Sequence, residues 1–146
     1  MALRNATGDD HAAIRGLLQD SRLPVADLDA SAIDFIVAID AGALAGVVGV
    51  ETFGDVGLLR SLAVRTDQRG HGIGERLVQA IEARAATLGL RRLVLLTETA
   101  APFFARRGYA AIARDQAPAA VHASAEFRAL CPASATCMIK SLESAS

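Results

Sequence analysis

The hexapeptide Arg69-Gly70-His71-Gly72-Ile73-Gly74 follows the apolar run Leu62-Ala63-Val64 after one polar step, Arg65-Thr66-Asp67-Gln68. A buried strand that feeds a glycine-rich turn into a helix N-terminus aims several unpaired backbone N–H groups, together with the positive end of the helix dipole, at one spot. Such a spot holds an anion. Glycine lets the backbone approach a diphosphate closely, and Arg69 adds a charge-assisted hydrogen bond to a phosphate oxygen. Spacing excludes two common phosphate loops, because GxGxxG is replaced by GxGxG and GxxxxGK[ST] is absent. On glycine content alone, a plain strand-to-helix turn accounts for these residues equally well; the order Arg-x-x-Gly-x-Gly favours the anion site.

A charge in an apolar run is the second signal. Arg60 lies in Leu58 to Val64, a segment otherwise apolar on both faces, and a buried guanidinium requires an anionic partner. It either grips a substrate carboxylate or pairs internally with Glu51 or Asp55, the internal pair being the commoner arrangement. Cys131 and Cys137 lack CxxC spacing, and His11, His71 and His122 are scattered, so neither a metal site nor a disulfide framework is expected.

The elements that must position these groups read as strands and helices mixed along one sheet. Ala2 to Asn5 is a first strand, and Thr7-x-x-Asp10 resembles a capping box ahead of a helix that carries Ile14, Leu17 and Leu18 and ends near Asp20. Leu23-Pro24 breaks the chain, Leu28 to Ala32 forms a short second helix, and Phe35 to Ile39 is a strand entering the turn Asp40-Ala41-Gly42. Leu44 to Phe53 and Val56 to Val64, split by Gly54-Asp55, are apolar on both faces, as central strands covered above and below are. A long helix follows from Gly72 to Leu88, with Ile73, Leu77, Ile81, Ala85 and Leu88 on one stripe and Gly89 as its stop. Leu93 to Leu96 is a strand, Thr99 caps a helix carrying Phe103 and Phe104, and Tyr109 to Ala113 is a strand. Pro118 to Leu130 is a further helix, and Thr136 to Leu142 closes the chain as a strand. The class is α/β, or α+β depending on how the hairpin is counted, with a mixed twisted sheet of about seven strands flanked by helices.

Composition narrows the function. A chain of 146 residues is expected to form one domain, residues 1–146, and 52% apolar residues with only 4 prolines argue against disorder. Fifteen basic residues against 16 acidic give no electrostatic footprint for nucleic acid or an anionic membrane. The first ten residues, MALRNATGDD, lack the apolar run of a signal peptide, and no apolar stretch approaches a membrane span, so a cytoplasmic protein is expected.

Leu62-x-Val64, then Arg69-x-x-Gly72-x-Gly74 opening an amphipathic helix, resembles the acetyl-CoA-binding motif of the GCN5-related N-acetyltransferases, the GNAT family. The order of elements matches that fold over nearly the whole chain, and Phe103 to Tyr109 resembles the family's later segment. Within the family, Arg60-Ser61, Leu95-Leu96-Thr97, the Phe103-Phe104 pair, and Glu126-Phe127 with the following Leu130-Cys131-Pro132 resemble the arsenic-resistance N-acetyltransferase branch.

The resemblance implies direct transfer of acetyl from acetyl-CoA to the primary amine of a small molecule, such as an amino acid or an arsenic- or phosphinic-containing analogue. Arg69, Gly70, His71, Gly72, Ile73 and Gly74 would hold the pyrophosphate, and Leu62, Ala63 and Val64 the pantetheine arm on a strand that splays from its neighbour. Glu51 ends the apolar run Val47 to Val50 beside that arm and is the expected general base, with a strand-end carboxylate facing solvent as the alternative. Arg60, Arg22 and Phe127 are expected at the acceptor, with Glu126 and His122 beside them. Phe104 stands where the family commonly has a tyrosine that protonates the departing thiolate. Two other readings remain: a protein or peptide N-acetyltransferase, and an acyl-CoA-binding module without catalysis. A homodimer is a further implication of the resemblance.

Overall fold

The computed structural model describes residues 1–142. Seven strands form one sheet in the order β1-β2-β3-β4-β5-β7-β6, where β1 is Ala2–Asn5, β2 Ile33–Asp40, β3 Ala43–Phe53, β4 Val56–Val64, β5 Arg92–Thr97, β6 Ala110–Ile112 and β7 Thr136–Ser141. Every neighbouring pair is antiparallel except β4 with β5, which is parallel. This is the mixed sheet expected from the hydrophobic runs.

Side-chain alternation divides the core between the two faces of the sheet. On one face Leu59, Leu93 and Leu95 meet Ile73, Leu77 and Ile81 of helix α2, Ile73–Thr87. On the other, Val37, Val47 and Ala63 meet Ile14, Leu17 and Leu18 of helix α1, His11–Asp20, while Val56, Leu58 and Val94 are covered by Val121 and Phe127 of the C-terminal segment. Leu18 and Leu77 are fully buried, and each contributes about 1.5–3 kcal/mol by leaving water.

Two irregularities of β4 shape the site. Its ladder with β5 joins only Val56 to Arg92, Gly57 to Leu93 and Leu58 to Val94, so beyond Leu58 the strands part. Its register with β3 passes from Val47–Ala63 to Gly49–Arg60, leaving one extra residue on β4. That bulge contains Ser61 in a left-handed conformation, φ 61°, which costs a non-glycine residue energy and turns the strand edge.

Three expected helices differ. Leu28 to Ala32 is a series of turns, because the amides of Ala30 and Ser31 both bond to the Asp27 carbonyl and the pattern does not propagate. Pro118 to Leu130 is split into a 3₁₀ segment, Ala119–Ala123, and a π-helical turn, Glu126–Leu130, by extended Ser124, whose Oγ accepts from the Phe127 amide at 3.2 Å. The short helix α3, Ala101–Ala105, has Ala100 and not Thr99 at its N-cap and no side-chain cap; Thr97 Oγ1 instead accepts from the Ala100 amide at 3.0 Å just before it.

Candidate active site

Where β4 and β5 part, a cleft of about 1370 Å³ opens. Leu62, Ala63 and Val64 form one wall, with backbone groups on the edge that β5 has left. The wall runs through the 3₁₀ turn Thr66–Gln68 into the glycine turn and α2. Gly70 (φ 86°) and Gly72 (φ 74°) are both left-handed, a conformation L side chains rarely adopt, and Gly72 is the N-cap of α2. The Arg76 backbone amide donates to the Gly72 carbonyl at 3.1 Å, so the amides of Ile73, Gly74 and Glu75 precede the first intrahelical bond and remain available. No heavy atom lies within 4 Å of where a Cβ would sit on Gly70 or Gly72, leaving room for an anionic group against the backbone. Arg69 is exposed beside them, its Nε donating to the Val64 carbonyl at 3.2 Å.

A buried ion cluster adjoins this cradle. The Arg60 guanidinium is fully inaccessible. It donates to both Asp27 oxygens at 2.6 and 2.8 Å, to Glu51 Oε1 at 2.7 Å and to Ser61 Oγ at 3.1 Å, with Glu126 Oε2 at 3.4 Å from Nε. Three carboxylates thus surround one guanidinium. Burial works against the charge of Arg60, but its hydrogen bond to Asp27 and the Glu126 and Glu51 carboxylates outweigh that and hold its pKa above the ordinary value. Burial also opposes the charge of Asp27, and hydrogen bonds from Arg60 and Ser31 prevail, holding its carboxyl low. For Glu126 burial prevails. Arg60 offsets it only in part while Asp27 and Glu51 add to it, so the carboxyl is pushed up to about 7. The neighbouring Cys131 thiol is pushed up to about 12 by burial and by Glu126, and stays protonated.

The expected site residues separate accordingly. Leu62, Ala63, Val64, Arg69, Gly70, Gly72, Ile73 and Gly74 converge on the cleft, whereas His71 is exposed outside its lining. Arg22 is at the cleft, in a left-handed turn, φ 58°. Arg60 borders it, but its donors are engaged internally, with Glu51 as expected and with Asp27 instead of Asp55. Glu51 is buried against Arg60 and does not line the cleft. Phe127 turns into the core with Val56, Leu58 and Val94, since its neighbour Glu126 takes the cleft-facing position of the π-helical turn. Phe104 borders the cleft edge-on to Phe103 and Tyr109 and carries no proton to give, and the Tyr109 hydroxyl, outside the cleft lining, donates to Glu82 at 2.8 Å. Asp27 was not foreseen. The signal for it was the demand of Arg60 for anions, but a turn far along the chain carries no spacing cue. Among the described residues, no cluster of His, Cys, Asp or Glu has the arrangement of a metal site.

A splayed β4–β5 edge meeting a glycine turn at a helix N-terminus defines a class of acyl-transfer domain. Residues 31–111, more than half of the chain, match the family model described as the acetyltransferase (GNAT) domain, and the chain belongs to that family. It is 44% identical over 66 residues to the amino-acid acetyltransferase of Azotobacter vinelandii, covering 45% of this chain and 15% of that protein. Against the amino-acid acetyltransferase of Ralstonia nicotianae it is 41% identical over 63 residues, covering 43% of this chain and 14% of that protein. The match thus spans about 15% of the length of these curated relatives. In structure it is similar to N-acetylglutamate synthase from Neisseria gonorrhoeae, complexed with coenzyme A and N-acetyl-glutamate, with TM-score 0.82, 24% identity and coverage of 97% of this chain and 35% of that one. It is also similar to Rv2747 from Mycobacterium tuberculosis in complex with CoA, with TM-score 0.77, 24% identity and coverage of 98% and 100%. At these identities the structural likeness establishes the GNAT fold.

Proposed function

We propose that the chain is an acetyl-CoA-dependent N-acetyltransferase acting on the primary amine of a small amino acid or amino-acid-like compound, and that it works as one domain. The observation that carries this reading is the single cleft in which the free edge of β4 runs into the open amides of α2 beside a buried carboxylate cluster. Family membership and the partial likeness to amino-acid acetyltransferases support it.

Acetyl-CoA supplies the acetyl group as a thioester and leaves as the thiol. The amides of residues 69–74, with Arg69, hold its diphosphate, and the edge of Leu62 to Val64 pairs with its amide-bearing arm. An N–H near Leu62 meets the negative charge that develops on the carbonyl oxygen, a preorganised donor that needs no rearrangement during the reaction. An alkyl ammonium cannot attack until it loses a proton, and the acidic cluster is where it does so. With Phe104 lacking a hydroxyl and Tyr109 committed to Glu82, water is the proton donor on the leaving side. Arg22, exposed at the cleft, is the contact proposed for an acceptor carboxylate. Ala129, Leu130 and Cys131 lie along the cleft beside Glu126 and favour a compact acceptor over an extended peptide.

The test is free-thiol release from acetyl-CoA across acidic amino acids and their arsenic- and phosphinic-containing analogues, basic amino acids, polyamines and short peptides. Release that depends on an amino-acid-like acceptor is expected, and the analogues read the arsenic-resistance resemblance directly. Release with peptides alone would move the acceptor to a protein N-terminus or lysine. Calorimetric binding of acetyl-CoA without release from any acceptor would leave a non-catalytic acyl-CoA-binding module. A homodimer and a cytoplasmic location belong to the same proposal, read by light scattering and fractionation; among the described residues no helix is long and apolar enough to cross a membrane.

A further inference from the structure

We propose that Glu126 is the general base that takes the proton from the acceptor ammonium, and that Glu51, Asp27 and Arg60 are positioning groups that set the pH at which it does so. The inference rests on the acetyltransferase reading above.

Access separates the three carboxylates. Glu126 lines the cleft, whereas Asp27 and Glu51 do not. Bonding separates them again. Asp27 receives two guanidinium nitrogens and the Ser31 hydroxyl at 2.6 Å, and Glu51 receives a guanidinium nitrogen at 2.7 Å. Glu126 stands at 3.4 Å from Arg60 Nε, which donates its hydrogen bond to Ser61. Among the described residues no side chain apart from the Cys131 thiol donates a hydrogen bond to it, so of the three carboxylates Glu126 alone combines a place on the cleft with lone pairs that the guanidinium leaves free.

The surrounding chain fixes the side chain in place. Ser124 Oγ accepts the Phe127 amide on one side of Glu126. On the other, Arg114 donates to the carbonyls of Phe127, Cys131 and Pro132 at 3.0, 3.3 and 2.8 Å, and the Phe127 ring is locked in the core. A carboxylate that is 4% exposed, held beside two others and one cation, gains little for stability. It does gain affinity for a proton, and burial brings its pKa near 7, where a base for an amine is effective. The groups facing it are Arg60 from β4, Glu51 from β3, Asp27 from the preceding turn and the Cys131 thiol from its own segment. With its carboxylates ionised the cluster is negative, which draws in a cationic amine. In the step, an ammonium N–H bond breaks, the electron pair stays on nitrogen and an O–H bond forms on Glu126; the carboxyl then returns the proton to solvent through the cleft.

The experiment is the pH dependence of kcat and kcat/KM for the wild type, Glu126→Gln, Glu126→Asp and Glu51→Gln, with unfolding melts to confirm folded protein. Wild-type activity is expected to rise to a plateau through about pH 7. Glu126→Gln lowers kcat by about 100-fold or more and removes that limb, and Glu126→Asp restores part of the rate with the limb present. Glu51→Gln loses less activity and moves the limb to lower pH, because removing a like charge eases ionisation of Glu126. The proposal is overturned by Glu126→Gln turning over within threefold of wild type, or by a limb that survives in Glu126→Gln and vanishes in Glu51→Gln. Infrared titration supplies a reading that needs no turnover: a carboxyl titrating near pH 7 in the wild type and missing in Glu126→Gln is expected, and its absence from the wild type overturns the proposal. Failure of the wild type to acetylate any amine is failure of the acetyltransferase reading itself, whereas an active wild type with an undiminished Glu126→Gln fails Glu126 alone.

Discussion

The α2 end of the cleft is built from backbone delivered by one continuous stretch from Leu62 to Gly74, whereas the Glu126 end rests on a cluster of side chains drawn from positions 27, 51, 60 and 126, of which Arg60 and Glu126 border the cleft. The first region depends on φ angles, the left-handed Gly70 and Gly72 above all, and tolerates side-chain variation that leaves them alone. The second depends on the charge balance among side chains that distant segments bring together. A substitution that damages one end should therefore leave the measurable signature of the other intact.

The sharpest way to break this contrast is Arg60→Met. It strips three buried carboxylates of their one cation, and a loss of about 3–5 kcal/mol in urea unfolding is expected at pH 8, shrinking at pH 5 as Glu126 takes up its proton. A smaller effect of opposite sign separates the carboxylates. The pKa of Glu126 is raised in the folded state from 4.5 to about 7, so the stability it contributes is full below about 4.5 and is lost as pH rises through 7. Glu126→Gln should accordingly be more stable than wild type at pH 8, by on the order of 1–3 kcal/mol. Asp27 is held low, so its contribution is present above its unfolded value of 3.8 and is lost only as pH falls through the lower folded one. Asp27→Asn should thus destabilise at neutral pH. Equal signs for the two substitutions would collapse the distinction between a structural and a functional carboxylate.

At the backbone end, Gly72→Val forces a β-branched residue to φ 74°, at a cost of about 1–2 kcal/mol in stability. Acetyl-CoA affinity measured by calorimetry should fall at least about tenfold, since a loss of 1.4 kcal/mol in binding suffices for that factor. Unchanged affinity in a folded variant would remove the anion-binding role from the glycine turn. The smallest expected change is Thr97→Ala, which deletes the hydroxyl that holds the Ala100 amide and should lower stability by about 1 kcal/mol, the net worth of an ordinary hydrogen bond, while leaving the pH profile in place.

The same contrast governs what could be read from the residues. The strands Ala2–Asn5 and Val56–Val64 and the helix end at Asp20 coincide with their expected bounds, and the glycine turn opens α2 as its glycines suggest. Each is dictated by neighbours within one or two turns of chain. Legibility fails where a residue's partner is distant. Asp27 immediately precedes the stretch Leu28 to Ala32 that was expected to be a helix, and that turn is tied to the sheet by the bond of Asp27 to Arg60. Asp55, next to the strand in sequence, is exposed and plays no part in the cluster. Glu126 and Phe127 of the expected helix Pro118 to Leu130 were both placed at the pocket, and in the segment broken at Ser124 one reaches the cleft and the other the core.

The sequence by itself determined the periodicities that make the seven-stranded sheet, the glycine turn that opens α2 and the presence of a cation needing buried anions. Those follow from local sterics and from the cost of an unpaired charge, which are properties of short segments. The tertiary structure decided which anions answer Arg60 and which of them reaches the cleft. Distance along the chain does not encode distance in space, and the proton affinity of Glu126 exists only once burial and two neighbouring carboxylates act on it together.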